Sequence, residues 1–292
     1  MKSRLRFSVV IAAVLAASMW LFQPVFAAPS ACGQHYAQGA APDILNSQLS
    51  SGTRELCYGG FGVMHSKLSR TALWSAEHLT RARLDQARGL IRASKFHVED
   101  RLPADERAEL RDYAKSGYDR GHLAPSADMP DMRQQQESFS LANMVPQNPE
   151  NNRVLWEGIE SATRSMAKQR GELYVISGPM FQGSSLKQLN GRVLVPTHLF
   201  KVIYDPRTSE AGAYVVQNVA TSNYETMSVA ALERMAGINL FPAMPDSVKQ
   251  RPMQLPAPVS YDKRRSMSDT SHRAVDAVKH NVKSYLSRKF SP

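Results

Sequence analysis

Cysteine is nearly absent from this 292-residue chain, with Cys32 and Cys57 the only two. Two cysteines do not make a disulfide scaffold. They cannot make a four-cysteine zinc site, and the histidine spacing for a mixed cysteine–histidine site is missing. No tract is biased enough for a disordered or collagen-like protein. With 42% hydrophobic and 21% charged residues, a chain of this size can bury a real core. No internal repeat is visible. The common chemical templates are also missing: there is no G-x-S-x-G elbow, no G-x-x-x-x-G-K-[ST] loop and no H-E-x-x-H. His97-Val98-Glu99 matches half of a zinc-deaminase signature, but the P-C-x-x-C half is absent. Acidic residues are in short supply too. Asp and Glu number 26 against 36 Lys and Arg, a net charge of +10. Such a surplus points to polyanions, either nucleic acid or anionic lipid.

The first 27 residues read as an address. Lys2, Arg4 and Arg6 form a positive head, Phe7 to Phe22 is apolar, and Val25-Phe26-Ala27 is a small-x-small ending. This pattern predicts a signal peptide cut after Ala27 and a periplasmic or secreted protein. The alternative is a membrane anchor, but the apolar stretch is shorter than the roughly 20 residues that span a bilayer. A lipoprotein is disfavoured because Pro29 stands where an attachment box before Cys32 wants leucine. Taking 27 residues and three cations from 292 residues and +10 leaves 265 residues and +7. In an exported chain the cysteine pair reads as one disulfide, Cys32–Cys57. On the chain-entropy model such a loop closure stabilises by about 3–4 kcal/mol.

At roughly 100–200 residues per domain the chain holds one large domain or two small ones. Residues 28–52 are an irregular lead-in. Leu56–Met64 and Ala72–Leu79 look like short strands, the first weakened by three glycines. Glu99–Lys115 reads as a charged surface connection with one helical turn, and Ser116–Pro125 as rich in turns. Gln134–Asn143 is helical, and Asn151–Lys168 is a clearer helix ended by Gly171, with Val154, Leu155, Ile159, Ala162 and Met166 at three-to-four spacing. Strands follow at Leu173–Ser177, Arg192–Val195, His198–Tyr204 and Ala213–Val219. Then come a helix at Ser228–Ala236 and an extended stretch, Asn239–Pro258, with five prolines. This order predicts an α+β fold with a mixed, antiparallel-rich sheet and flanking helices. The partition is a signal peptide (1–27), a domain (28–258) and a basic amphipathic tail (259–292). Residues 261–292 hold eight Lys or Arg against three Asp, with Val275, Val278, Val282, Tyr285 and Leu286 on one helical face. The tail reads as a docked helix with a solvated basic face, or as an arm for phosphates or an anionic membrane surface.

Two constellations carry chemistry. In Asp119-Arg120-Gly121-His122, glycine admits close approach of a ligand, arginine suits phosphate, and neutral histidine can take a proton near pH 7. A turn with a structural histidine and a solvated arginine is the plainer alternative. Asn152, Trp156, Glu160 and Arg164 follow at fourfold spacing, so a helix turns them slowly round one side. An amide oxygen, a carboxylate and a guanidinium suit a hydrated cation and a phosphate. An N-capping Asn with an ordinary Glu–Arg pair explains the same residues.

Together the segments resemble a known family. Asp119-Arg120-Gly121-His122-Leu123-Ala124-Pro125-Ser126-Ala127-Asp128 is similar to the signature of the DNA/RNA non-specific endonucleases, the endonuclease G-like members of the ββα-metal superfamily. Asn143-Met144-Val145-Pro146-Gln147, Asn151-Asn152 and Trp156 resemble its second block. Leu173–Pro179, Val195-Pro196 before Lys201, and Met235–Phe241 also match. The likeness runs from about Leu56 to Asp246. It implies a ββα-metal motif and a Mg2+-dependent nuclease, with Mn2+ left open. It implies His122 as general base, Asn152 as the direct metal ligand, Glu160 holding metal-bound water and Asp119 supporting that shell. Arg92 and Arg164 would contact phosphate, with Arg120 and Asn143 substrate-side or supporting. His65 stands where the family leads one to expect an aromatic, a departure that bears on packing or substrate contact. The implied reaction is sequence-independent hydrolysis of DNA and RNA to 5′-phosphate ends. A catalytically idle nucleic-acid-binding protein, an exported phosphodiesterase for small molecules and a lipid-surface protein remain alternatives. A homodimer and an anionic surface met by the tail are the partners left open beside nucleic acid.

Overall fold

Long runs of buried residues, not alternating ones, mark the centre of this fold, because its main sheet is covered on both faces. The computed structural model describes residues 30–92 and 95–260, so the leader 1–27 and the tail 261–292 read above lie outside the described residues. In chain order the principal strands are β1 (Thr53–Cys57), β2 (Gly62–Ser66), β3 (Thr71–Thr80), β4 (Asp119–His122), β5 (Met144–Gln147), β6 (Glu172–Met180), β7 (His198–Asp205), β8 (Glu210–Gln217) and β9 (Glu225–Met227). Seven form one sheet in the order β9-β8-β7-β6-β3-β2-β1, every pair antiparallel. The remaining pair, β4 and β5, makes a separate antiparallel ribbon. The principal helices are α1 (Arg81–Gln86), α2 (Met132–Ser138), α3 (Glu157–Arg170) and α4 (Val229–Ala236). The fold is α+β with an antiparallel sheet, as the order of predicted elements implied.

The two faces of the sheet bury different clusters. One packs Val63, Leu79, Val175, Leu199 and Tyr214 against Leu123 just past the ribbon, Trp156 just before α3, and Ile159 and Ala167 of α3. The other packs Trp74, Ile176, Phe200 and Val202 against Cys32 and Tyr36 of the lead-in and Val229 and Leu232 of α4. The Cys32–Cys57 disulfide ties that lead-in to β1. Full burial of side chains such as Trp74 and Phe200 stabilises the fold by about 1.5–3 kcal/mol each.

Several elements differ from the sequence expectation. Leu56–Met64 is not one strand but the end of β1, a turn and the start of β2. The Tyr58 amide donates to the Phe61 carbonyl at 2.9 Å across Gly59-Gly60. Glycines that weaken a strand here end it. Gln134–Asn143 splits into α2 and a 3-10 turn at Leu141–Asn143. The segment Glu99–Lys115 is no mere surface connection, since Leu102, Ala108, Asp112 and Tyr113 are buried and only Leu110–Tyr113 is helical. Asp119–His122, expected among turns, is strand β4. The stretch after Asn239 contains a short helix at Asp246–Lys249. His65 is 1% exposed, with Nε2 3.0 Å from the Glu106 carbonyl, so its departure from an aromatic concerns packing.

Candidate active site

The site is assembled where the ribbon meets the start of α3. Strand β4 pairs with β5 in the register Asp119–Gln147 to His122–Met144. Gly121 is required by close packing inside the protein, not by a ligand as the sequence suggested. A Cβ there would lie 2.0 Å from Gln147 Oε1. Gln147 crosses the ribbon at that point and donates through Nε2 to Asn151 Oδ1 at 2.8 Å. Asn151–Trp156 forms a π-helical turn that runs directly into α3. Such wide turns recur at functional sites because they re-aim side chains. The expected helix therefore begins with a π turn and continues to Arg170. Trp156 does not face the cleft with Asn152 and Glu160. It is 1% exposed beneath them, and its indole N–H donates to the His122 carbonyl at 3.2 Å.

His122, Asn152, Asp119, Glu160, Arg92 and Arg120 all line one cleft of about 450 Å3. The His122 ring sits edge-on to Phe139, with centroids 4.8 Å apart, and is tilted to Phe96 at 5.8 Å. Its Nε2 is buried without a hydrogen-bond partner. Burial, then the nearby Arg92 cation, pulls its pKa down to about 3. The ring is therefore neutral at pH 7. Asn152 Nδ2 donates to Asp119 Oδ2 at 2.9 Å. That bond fixes the amide and leaves Oδ1 as its atom for a ligand. Asp119 is itself gripped by Arg153, through Nε at 2.9 Å and Nη2 at 2.7 Å. Glu160 is pushed up to about 7 by burial, with Lys201 and Arg164 opposing.

This donor set fits a hard, hydrated dication. It offers an oriented carboxamide oxygen and a desolvated carboxylate that lacks full charge compensation. Among the described residues, the one cluster of three classical ligand types is Cys32, Glu55 and Cys57, and both sulfurs there are in the disulfide. The metal reading therefore rests on the cleft, where few protein ligands suffice.

One expected role changes, that of Arg164, and one left open narrows, that of Asn143. Arg164 does not line the cleft: Nη1 donates to the buried Asp128 carboxylate at 3.0 Å, and Nη2 lies 3.9 Å from Glu157. A buried carboxylate needs a partner, and the guanidinium supplies it. Asn143 is fully buried, so it is supporting and not substrate-side. Its Oδ1 accepts from Ser75 Oγ (2.7 Å) and the Ala124 amide (3.0 Å). Its Nδ2 donates to the Ala124 and Ser138 carbonyls, both at 2.9 Å. It clamps the chain just beyond His122. Arg92 donates to Ser126 Oγ at 3.0 Å at the mouth of the cleft, and Arg120 stacks 4.4 Å over Phe96. Sequence reasoning missed Arg153 and Glu77, and it quoted Asp128 and Lys201 only as matches, without a role. Lys201 and Glu77, each a charge within an apolar strand, were the available signal.

The sequence matches a model of the DNA/RNA non-specific endonuclease family over residues 41–247. Over 215 residues it is 34% identical to a mitochondrial nuclease EXOG of Danio rerio, covering 66% of this chain and 62% of that protein. Over 202 residues it is 34% identical to nuclease C1 of Cunninghamella echinulata, covering 61% and 79%. The structure resembles that of an EndoG/EndoGI complex, solved for the mechanism of EndoG inhibition. The TM-score is 0.62 at 25% identity, covering 66% of this chain and 88% of the other. These relatives correct the expected location. Similar proteins from fish, human, yeast and nematode are mitochondrial nucleases, so the periplasmic or secreted assignment falls. That assignment rested on residues outside the described part of the chain, and nothing in the cleft depends on it.

Proposed function

The chain belongs to the DNA/RNA non-specific endonuclease family, and on that premise we propose that it hydrolyses DNA and RNA phosphodiester bonds without sequence preference, using Mg2+ and leaving 5′-phosphate ends. The carrying observation is that His122 lines the same cleft as Asn152, Asp119 and Glu160. An imidazole that is neutral at pH 7 is the form that can take a water proton. Asp119 holds Asn152 in one amide orientation, so Asn152 Oδ1 would bind the ion directly and Glu160 would hold its water. When bound, Mg2+ supplies stabilisation of the charge that builds on the phosphate and on the departing 3′ oxygen. Arg92 and Arg120, both at the cleft, add positive potential for the phosphodiester. Contacts to phosphate and sugar carry no sequence information, which accounts for non-specific cutting.

Plasmid nicking with and without chelator tests the reading. His122→Ala is expected to lose about 10²–10⁴-fold in rate, the usual cost of a missing general base. Asn152→Ala is expected to lose activity and regain part of it at high Mg2+. Near-normal nicking by His122→Ala would reject the base, and cutting that survives EDTA would reject the metal.

A further inference from the structure

Lys201 lies in the middle of β7 and is 1% exposed. A buried ammonium is expensive to desolvate, and a methionine of similar length would fill the space without that cost. Its contacts show what the charge does. Nζ donates to Ser177 Oγ at 2.5 Å, reaches the Leu123 carbonyl at 3.5 Å, and sits 5.2 Å from the centre of the Trp156 ring. Leu123 follows His122 at the end of β4. Trp156 closes the π turn that carries Asn152, and its indole N–H holds the His122 carbonyl. One cation on the floor of the site thus touches both halves of it. The bonds at the rim, Asn152–Asp119 and Asn151–Gln147, join the same halves from above. The charges facing the ammonium through space are Glu77 from β3 and Glu160 from α3, with Asp128 and Arg164 beside them.

We propose that Lys201 is a positioning residue, which pins the strand carrying His122 to the turn carrying Asn152 and so sets the spacing between the base and the metal ligand. The inference rests on the function proposed above. Ser177 aims the ammonium, and the Trp156 face and the Leu123 carbonyl receive it. Without the charge, Trp156 and β4 lose their shared anchor, so His122 and Asn152 are no longer held at one spacing.

Lys201→Met in the full-length chain tests this. Glu77 loses a nearby cation in that variant, so Lys201→Met with Glu77→Gln is its charge-balanced companion. On a DNA duplex at saturating Mg2+, kcat is expected to fall about 10–100-fold with KM changed by less than about twofold, the scale seen when groups orienting a metal ligand are removed. The indole 1H–15N resonance of Trp156 is expected to shift in the metal-free protein. If the charge-balanced variant keeps wild-type kcat, or loses efficiency through KM alone, or leaves the Trp156 resonance unmoved, Lys201 merely balances Glu77 and the inference is overturned. If neither Lys201 variant folds, Ser177→Ala decides, since it keeps both charges and removes only the hydroxyl that aims the ammonium. Lowered kcat with a moved Trp156 resonance then supports the role, and a wild-type kcat overturns it. Failure of the underlying function is separable, because it appears as full nicking by His122→Ala whatever Lys201 does.

Discussion

Gly121 shows how little room a single position in this site has. Any side chain there meets Gln147 Oε1, and Gln147 is the residue that braces Asn151 next to Asn152. Gly121→Ala is therefore expected to destabilise by about 1–3 kcal/mol, the usual cost of overpacking. Its activity loss should exceed what unfolding explains, because the displaced Gln147 frees the start of the π turn. Denaturant unfolding beside plasmid nicking checks both, and an alanine variant of unchanged stability would contradict the packing argument. The sequence showed a glycine next to His122 and suggested a ligand. That the approaching group is an internal glutamine 26 residues later in the chain is a matter of strand register, which no spacing within four residues encodes.

The ribbon and α3 form a ββα unit in which each element presents one part of the chemistry. Fourfold spacing put Asn152, Trp156, Glu160 and Arg164 on one slowly turning side, and for Asn152 and Glu160 that holds. It fails for Trp156, which the wide turn delivers to the floor, and for Arg164, which Asp128 captures. Arg164→Met is accordingly expected to act on stability. Leaving Asp128 buried and unpaired should cost about 3–5 kcal/mol, with KM for DNA little changed in the fraction that remains folded. Thermal unfolding and steady-state kinetics on the same samples separate the two roles, and a stable variant with a raised KM would restore Arg164 to the phosphate. Periodicity reads which residues share a face. It does not read which neighbour a long side chain pairs with.

Across the whole molecule, burial on both faces of the sheet sets how the protein responds to acid. His35 is pulled down to about 4 and His122 to about 3, each chiefly by burial. Glu99 is brought to about 2: burial opposes this, but hydrogen bonds from Arg101 and Tyr58 prevail. All three groups bind protons less readily folded than unfolded, so acid favours unfolding. The histidines contribute stability that is complete above about 6.5, their unfolded value, and is lost as the pH falls through 4 and 3. The Glu99 contribution is lost as the pH falls through 2. Glu160, raised to about 7, has the opposite sign and gains stability as pH falls from 7 to 4.5, and Glu77, raised well above its ordinary value by burial, acts in the same direction. The opposing sets overlap between 6.5 and 4.5, so the metal-free protein is expected to change little in that range and to lose stability steeply below it. Denaturant midpoints measured against pH check this, and a steep loss confined to pH 6.5–5 would contradict it.

The sequence by itself determined the family, the α+β class and the residues from which the candidate chemistry is argued. A histidine beside an acid, a cation and a glycine, and an asparagine and a glutamate along one helix, are written in adjacent residues and in helical spacing, and helix geometry alone puts the last two on one face. The order of strands and helices likewise implied the α+β class, because each element must bury its apolar side against a neighbour. Only the tertiary structure decided that Leu56–Met64 turns back on itself, that Arg164 serves Asp128, that Asn143 is an internal clamp and that Lys201 lies under both halves of the site. Those outcomes depend on desolvation and on contacts between segments tens of residues apart. Burial has no period in the sequence, so the state of each charge emerges only when the chain has closed around it.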